Sequence, residues 1–353
     1  LTASLAGCTT SKSGVDTQTS DGNKILFTYD GEKVTLKEGW LYAKMTAAQL
    51  ENSYKQYYGT AFWKMNMGED SSGKEVTFEE YTKQNVITQI KQSIILNKKA
   101  KEYGCELTAA EKKDSVEAAL SYYESEDGKE TMRECGATRE DVEKIYQDAT
   151  VASKVEEKVK AQSKVKVTDD EARKSTIQRI VFTKTKTDAT GNIVEKSKKE
   201  KAVVKKKAKK LLKEIQSGKK TIKEAAKERN YTSVKESYAS GESEEGKSFE
   251  KAMKKLKDGQ VANKVFNCDN GYVIAKLVAY TDKKETETHR KEVKEQKQKA
   301  AFEKEYSKWT KNLEKKWSYS KDVDQKLWKQ VHLSSEAAAE STTEAKSNII
   351  EVK

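Results

Sequence analysis

Few groups in this chain could do bond chemistry, and their spacing narrows the field. Among its 353 residues are two histidines, His289 and His332, and four cysteines. Neither histidine stands near a candidate Ser or Cys nucleophile in the sequence, so no nucleophile and base pair emerges. Cys105, Cys135 and Cys268 fit no zinc spacing, and neither a metal nor any other cofactor is implied. These three read as small buried apolar residues, while an oxidising compartment would allow Cys105 to pair with Cys135. The more informative positions sit in two strand-like runs, Ile177 to Thr183 around Arg179 and Gly271 to Tyr280 around Val273. Alternation along a strand puts Ile177, Arg179 and Val181 on one face, and likewise Val273, Ala275 and Leu277.

Positioning these strands requires the elements between them. Val203, Val204, Ala208, Leu211, Leu212 and Ile215 keep the spacing of one helix face and stop at Gly218. A second helix opens at Thr221 with Glu224 three residues on, the reciprocal capping arrangement. The loop from Tyr238 to Ser248 is acidic. After it come Phe249, Met253 and Leu256 at helical spacing, then Gly259 and a short strand from Val261 to Phe266.

That order, β-α-α-β-α-β-β, resembles the parvulin domain, an isomerase of the peptide bond before proline. The resemblance rests on Ile222-Lys-Glu-Ala-Ala-Lys, Phe249-Glu-Lys-Ala252, Leu256-Lys-Asp-Gly-Gln-Val261 and Gly271-Tyr-Val-Ile274. It implies a histidine in the first strand, a Gly-rich loop and a histidine in the last strand. Here Arg179 and Val273 stand at the histidine positions, and the loop is acidic. The resemblance therefore implies peptidyl-prolyl cis-trans isomerisation, while both expected active-site histidines are absent and no residue is assigned as catalytic. By the same resemblance Phe249, Met253 and Tyr272 are the substrate-binding candidates, lining a proline pocket; the alternative is that a helix-spaced Phe and Met are core.

Residues 25 to 170 repeat one local construction. Ile25 to Tyr29 and Glu32 to Thr35 read as a hairpin turned by Asp30-Gly31. Helix starts then recur as Thr-x-x-acid, at Thr35, Thr77, Thr108, Thr138 and Thr168. After the domain, Glu285 to Lys316 carries Val293, Phe302, Tyr306, Trp309 and Leu313 in a charged helical pattern, and Trp317 to Val331 predicts a strand and a final short helix. The hairpin, the repeated capped helices and the phrases Leu107-Thr-Ala-Ala-Glu and Val167-Thr-Asp-Asp-Glu resemble the extracytoplasmic PrsA/SurA-like foldases. That family implies a C-terminal helix returning to the N-terminal lobe, with the parvulin-like unit inserted between.

The N-terminus supports the same compartment. Leu5-Ala-Gly-Cys8 resembles a lipoprotein box at the end of a signal peptide, which makes Cys8 the lipidation site and 1–8 a signal remnant. Residues 9–24 read as a flexible tether and 334–353 as a disordered tail. Net charge is +12, and residues 175–281 hold 24 Lys and 2 Arg against 13 acidic residues, so the excess is local to this segment. A lysine-dominated field suits anionic headgroups or wall polymers; the alternative is a solvated helix face. Scarce arginine argues against specific phosphate recognition and nucleic acid.

The whole predicts an α+β chain: a helical PrsA/SurA-like chaperone lobe over 25–174, a parvulin-like domain over 175–281 and a returning helix over 282–333. The expected function is a foldase anchored outside the cytoplasm through Cys8, on the outer face of a Gram-positive-type membrane. It would assist unfolded exported polypeptides, with an isomerase site that is weak or lost. Trp40, Tyr54, Tyr57, Tyr58, Trp63, Met65 and Met67 would offer adaptable apolar contact in a crevice; the alternative is that they form the core of the lobe. An active isomerase and a solute- or wall-polymer-binding lipoprotein are the other readings, and the mainly helical pattern argues against two ligand-clasping α/β lobes.

Overall fold

The computed structural model describes residues 21–69 and 73–333. Cys8, the signal remnant, most of the tether and the 334–353 tail lie outside the described residues. Among the described residues two compact units emerge, one drawn from the chain up to residue 162 together with 302–333, and the other of residues 163–301.

The first unit begins earlier than the tether reading placed it. Residues 21–24 already form a turn bonded to the lobe, with Gly22 O accepting from Lys37 N at 2.9 Å. Strands β1 (Ile25–Tyr29) and β2 (Glu32–Thr35) pair antiparallel through Asp30 and Gly31, whose φ of 48° and 81° give the two positive angles such a turn demands. Helix α1 (Leu36–Tyr58) starts at Thr35 and runs into a 3-10 turn (Gly59–Lys64). The hairpin β3 (Asn66–Glu69) and β4 (Glu75–Thr77) precedes α2 (Phe78–Tyr103), and α3 (Ala109–Glu124), α4 (Glu126–Cys135) and α5 (Arg139–Gln162) follow. Each anticipated cap forms, because the threonine hydroxyl satisfies an orphan N–H that the helix cannot; at Thr77 and Thr108 the glutamate answers in return.

In the second unit, α6 (Asp169–Ala172) is capped by Thr168, and β5 (Lys174–Thr183) leads into a small hairpin, β6 (Thr185–Thr187) with β7 (Ile193–Glu195). Helices α7 (Lys198–Gln216) and α8 (Ile222–Lys227), strand β8 (Ser233–Ala239), helix α9 (Lys247–Met253) and strands β9 (Phe266–Cys268) and β10 (Gly271–Ala279) complete it. The four-stranded sheet runs β8-β5-β10-β9 with every pair antiparallel. Where a strand from Val261 was expected, Val261 makes only an isolated bridge to Lys276, and the strand starts at Phe266. Gly271 is required by proximity, since a Cβ there would lie 2.6 Å from Phe182 O.

Helix α10 (Lys283–Glu314) carries the chain out of this unit and back into the first. From Phe302 on, Tyr306, Trp309 and Leu313 pack on the helical core. The strand expected after Trp317 is absent. Two short helices, α11 (Tyr319–Asp322) and α12 (Gln325–Trp328), stand there instead, because Asp324 caps the second and its own N–H bonds Leu26 O at 2.8 Å. Tyr29 Oη donates to Glu314 Oε1 at 2.5 Å, Lys91 Nζ reaches Glu314 at 2.9 Å, and Lys91 lies 3.7 Å from the Trp317 ring centre. Cys105 and Cys135 are buried free thiols in different core clusters, so the pairing considered from the sequence does not form.

Candidate functional site

The two faces of the four-stranded sheet bury different cores. Strand alternation turns Ile180, Phe182, Tyr272 and Ile274 toward α7 and α8, while Ile177, Val273, Ala275 and Leu277 face α9 with Phe249, Met253, Phe266 and Cys268. Arg179 belongs to the second face, opposite Ala275 on β10 and Val234 on β8. Val273 stands opposite Val181. Positions 179 and 273 are thus diagonal neighbours on one face, at a spacing on the order of 7–8 Å.

The substrate-binding candidates separate. Phe249 and Met253 sit together on the Arg179 face, completely buried, with Phe249 edge-on to Phe266 at 4.8 Å between ring centres. Tyr272 points through the opposite face, because it neighbours Val273 along a strand whose side chains alternate. A pocket shared by Phe249, Met253 and Tyr272 is therefore not what the backbone builds.

What surrounds Arg179 was not anticipated. Its guanidinium is met by Glu236 from β8 and by Glu244 and Glu245 from the acidic loop; NH2 lies 2.9 Å from Glu244 Oε2 and NH1 lies 2.5 Å from Glu245 Oε1. The Nε contact with Glu236 and the NH1 contact with Glu245 are charge contacts rather than aligned hydrogen bonds, whereas NH2 bonds both Glu236 and Glu244. The Glu245 side chain is only 1% exposed, so Arg179 is what balances its charge. Burial alone would push the guanidinium pKa down, but its bonds to Glu236 and the charges of Glu245 and Glu236 outweigh that, and the net shift is upward.

The loop is itself tied down. Glu250, in the first turn of α9, accepts from Gly241 N and Ser243 N at 2.9 Å each, and Ser243 Oγ donates to Glu245 Oε2 at 2.8 Å. Burial raises the Cys268 thiol pKa on the same face, and Glu245 adds to the rise, so the thiolate is disfavoured. The arrangement can hold a permanent cation among carboxylates; it offers no neutral imidazole. His289 instead shares a bond of 3.1 Å with Ala172 O from helix α10, and His332 lies in the helical unit. Among the described residues no group of three or more His, Cys, Asp or Glu is placed to hold a metal ion.

A second candidate surface lies in the helical unit. Trp40 and Trp63 are core, with Trp63 Nε1 donating to Glu51 Oε1 at 3.2 Å, so the crevice reading loses both to packing. Tyr54, Tyr57, Tyr58, Met65 and Met67 are exposed, Tyr57 at 74%, and Tyr81 joins them. Tyr54 stacks at 5.8 Å on buried Phe62, which ties this exposed cluster to the core.

With this geometry in hand, the likenesses to known proteins fall into place. Residues 180–279 match the rotamase family, the PPIC-type PPIase domain, so the chain carries a domain of that family. Val273, Phe249, Met253 and Tyr272 fall inside the matched span, and Arg179 directly precedes it. Solved structures similar to the chain include the peptidylprolyl isomerase PrsA from Bacillus cereus, at 19% identity over 76% of this chain and 99% of that one, TM-score 0.32. A structure reported for SurA-like chaperones of Campylobacter jejuni is similar at 12% identity over 82% of this chain and 97% of that one, TM-score 0.27. The foldase protein PrsA from Streptococcus pneumoniae is similar at 18% identity over 76% and 100%, TM-score 0.23. No curated protein matches.

Proposed function

We propose that this chain is a foldase working outside the cytoplasm, anchored through lipidated Cys8, which holds unfolded exported polypeptides while its rotamase-family domain retains little or no isomerase activity. The observation that carries the reading is the Arg179 network. Rotation about an X-Pro bond faces a barrier of about 20 kcal/mol from amide resonance, and a catalyst must favour the twisted amide over the planar one. A dry pocket for the ring and neutral hydrogen-bonding groups beside the amide would do this. Arg179 brings a fixed charge to that position, its donors are already engaged by Glu236, Glu244 and Glu245, and Phe249 and Met253 are packed among their neighbours.

The exposed Tyr54, Tyr57, Tyr58, Met65 and Met67 support the holding role. Tyrosine and methionine offer broad, adaptable apolar contact at small conformational cost, which suits partners of varied sequence. The protein should delay aggregation of an unfolded exported client at equimolar concentration; failure with every client tried would overturn the chaperone role. The family match itself favours a second reading, an active isomerase. A proline-peptide assay separates the two: turnover at the level of an active parvulin would remove the lost-site claim. Arg179→His with Val273→His then asks whether two imidazoles are all that is missing.

A further inference from the structure

We infer that the outer face of helix α7 is a docking surface for an anionic bilayer, an interaction that goes beyond client holding and does not depend on it. Helix α7 contains nine lysines and two glutamates. Its apolar stripe, Ala208, Leu211, Leu212 and Ile215, is buried against the sheet. On the opposite side, at i, i+7, i+11 and i+14, stand Lys199, Lys206, Lys210 and Lys213, all exposed, spanning about 21 Å at the usual rise per residue.

Nothing in the unit balances these charges. Both glutamates of the helix are committed elsewhere, Glu200 to Lys186 at 2.6 Å and Glu214 to Arg229 at 2.5 Å. Among the described residues the four stripe lysines make no ion pair. Like charges at i, i+3 and i, i+4 disfavour the isolated helix, so an external counter-charge would relieve a repulsion the fold tolerates.

Two features favour a lipid surface over a soluble polyanion. Val203, 51% exposed, lies within the lysine stripe, and Ile193, 79% exposed, projects from the β6–β7 hairpin. That hairpin is pinned to the start of α7 by Glu195 with Lys201 and by Lys186 with Glu200. Aliphatic side chains beside lysines, whose stems cover apolar surface while their ammonium groups reach phosphate, match an interface and not a solvated polymer. The stripe is all lysine, which suits diffuse attraction to a charged plane better than bidentate recognition of one phosphate.

The test uses the full chain with Cys8→Ser, so that no acyl group reports. Sedimentation with phosphatidylcholine vesicles is compared with sedimentation with vesicles containing phosphatidylglycerol. Binding should require the anionic lipid and weaken with added salt. Lys199→Gln, Lys206→Gln, Lys210→Gln and Lys213→Gln together should lower it by roughly several hundredfold, about fivefold per lysine. A control removes the same charge from the same unit as Lys251→Gln, Lys254→Gln, Lys255→Gln and Lys257→Gln, and should lower binding far less. Equal loss in both variants, no loss in the first, or stripe-dependent binding to polyphosphate without binding to vesicles would each overturn the proposal. Retained far-UV helicity shows that the variants fold.

Discussion

In the unit of residues 163–301 the Arg179 side chain is withdrawn from water and neutralised, whereas in the helical unit Tyr57, Tyr58, Met65 and Met67 are left in water. The physical costs are of different kinds. A buried guanidinium is tolerated only with carboxylates around it, and at Arg179 these are Glu236 from the neighbouring strand and Glu244 and Glu245 from the acidic loop. An exposed tyrosine needs no such companion. The first region closes its charged groups on one another, and the second leaves large apolar side chains exposed. The contrast can be broken experimentally because all five tryptophans, Trp40, Trp63, Trp309, Trp317 and Trp328, belong to the helical unit. Tryptophan fluorescence then follows one unit, while far-UV circular dichroism follows both.

The largest effect is expected at Arg179. Arg179→Met removes the counter-charge from Glu245 and should destabilise its unit by about 3–5 kcal/mol. In a urea titration the tryptophan-silent transition moves to lower denaturant and the fluorescence transition stays. Arg179→Met combined with Glu245→Met should recover most of the loss, since two apolar groups replace a pair instead of orphaning one member. If the single variant were neutral, the network would be ornamental and the lost-site reading would lose its physical basis.

How much of this was legible in the sequence depends on whether the signal was local. The Asp30-Gly31 hairpin and the five threonine caps were readable because each bond joins residues within a few positions of one another. The face shared by Arg179 and Val273 followed from strand alternation. The partners of Arg179 did not, since Glu236 and Glu245 lie 57 and 66 positions along the chain, and the β5–β8 register brings up the first while the bonds of the loop to Glu250 and Ser243 place the second. The available clue was an arginine inside an apolar strand in a domain that also carries an acidic loop. Tyr272, which the resemblance groups with Phe249 and Met253, points to the opposite side of the sheet because adjacent strand residues face opposite ways. Crevice and core stayed open for Trp40 and Trp63 because size and aromaticity do not tell burial from exposure, and the structure places both in the core.

A smaller effect is expected in the helical unit, where Lys91, lying over the Tyr29 and Trp317 rings, bonds Glu314. Lys91→Met should cost about 1–3 kcal/mol, less than Arg179, because Glu314 is half exposed and can recover water. Here the fluorescence transition should move and the silent one should not. Tyr57→Ser with Tyr58→Ser should leave stability within about 0.5 kcal/mol, as for surface positions generally, yet reduce aggregation suppression. A large stability loss would show these side chains to be structural and would erase the contrast.

The finest distinction is in acid. Glu171 is held at about 2 by its bonds to Lys297, then to the Thr168 backbone, and Glu200 likewise by Lys186 and then Ser197. In the helical unit Glu111 is held at about 2 by Lys154 and then Thr108. Each is depressed in the folded state relative to an unfolded glutamate near 4.5, so the unfolded chain binds more protons between these values. The stabilisation is therefore fully present above about pH 4.5 and fades as pH falls toward 2. Glu171 and Glu200 therefore give the tryptophan-silent transition an acid-dependent slope of its own. Glu171→Gln with Glu200→Gln should flatten that slope while leaving the fluorescence transition unchanged. These carboxylates are exposed and screened by salt, so the effect should shrink at high ionic strength. The Arg179 network, shielded by burial, should hold its contribution under the same salt.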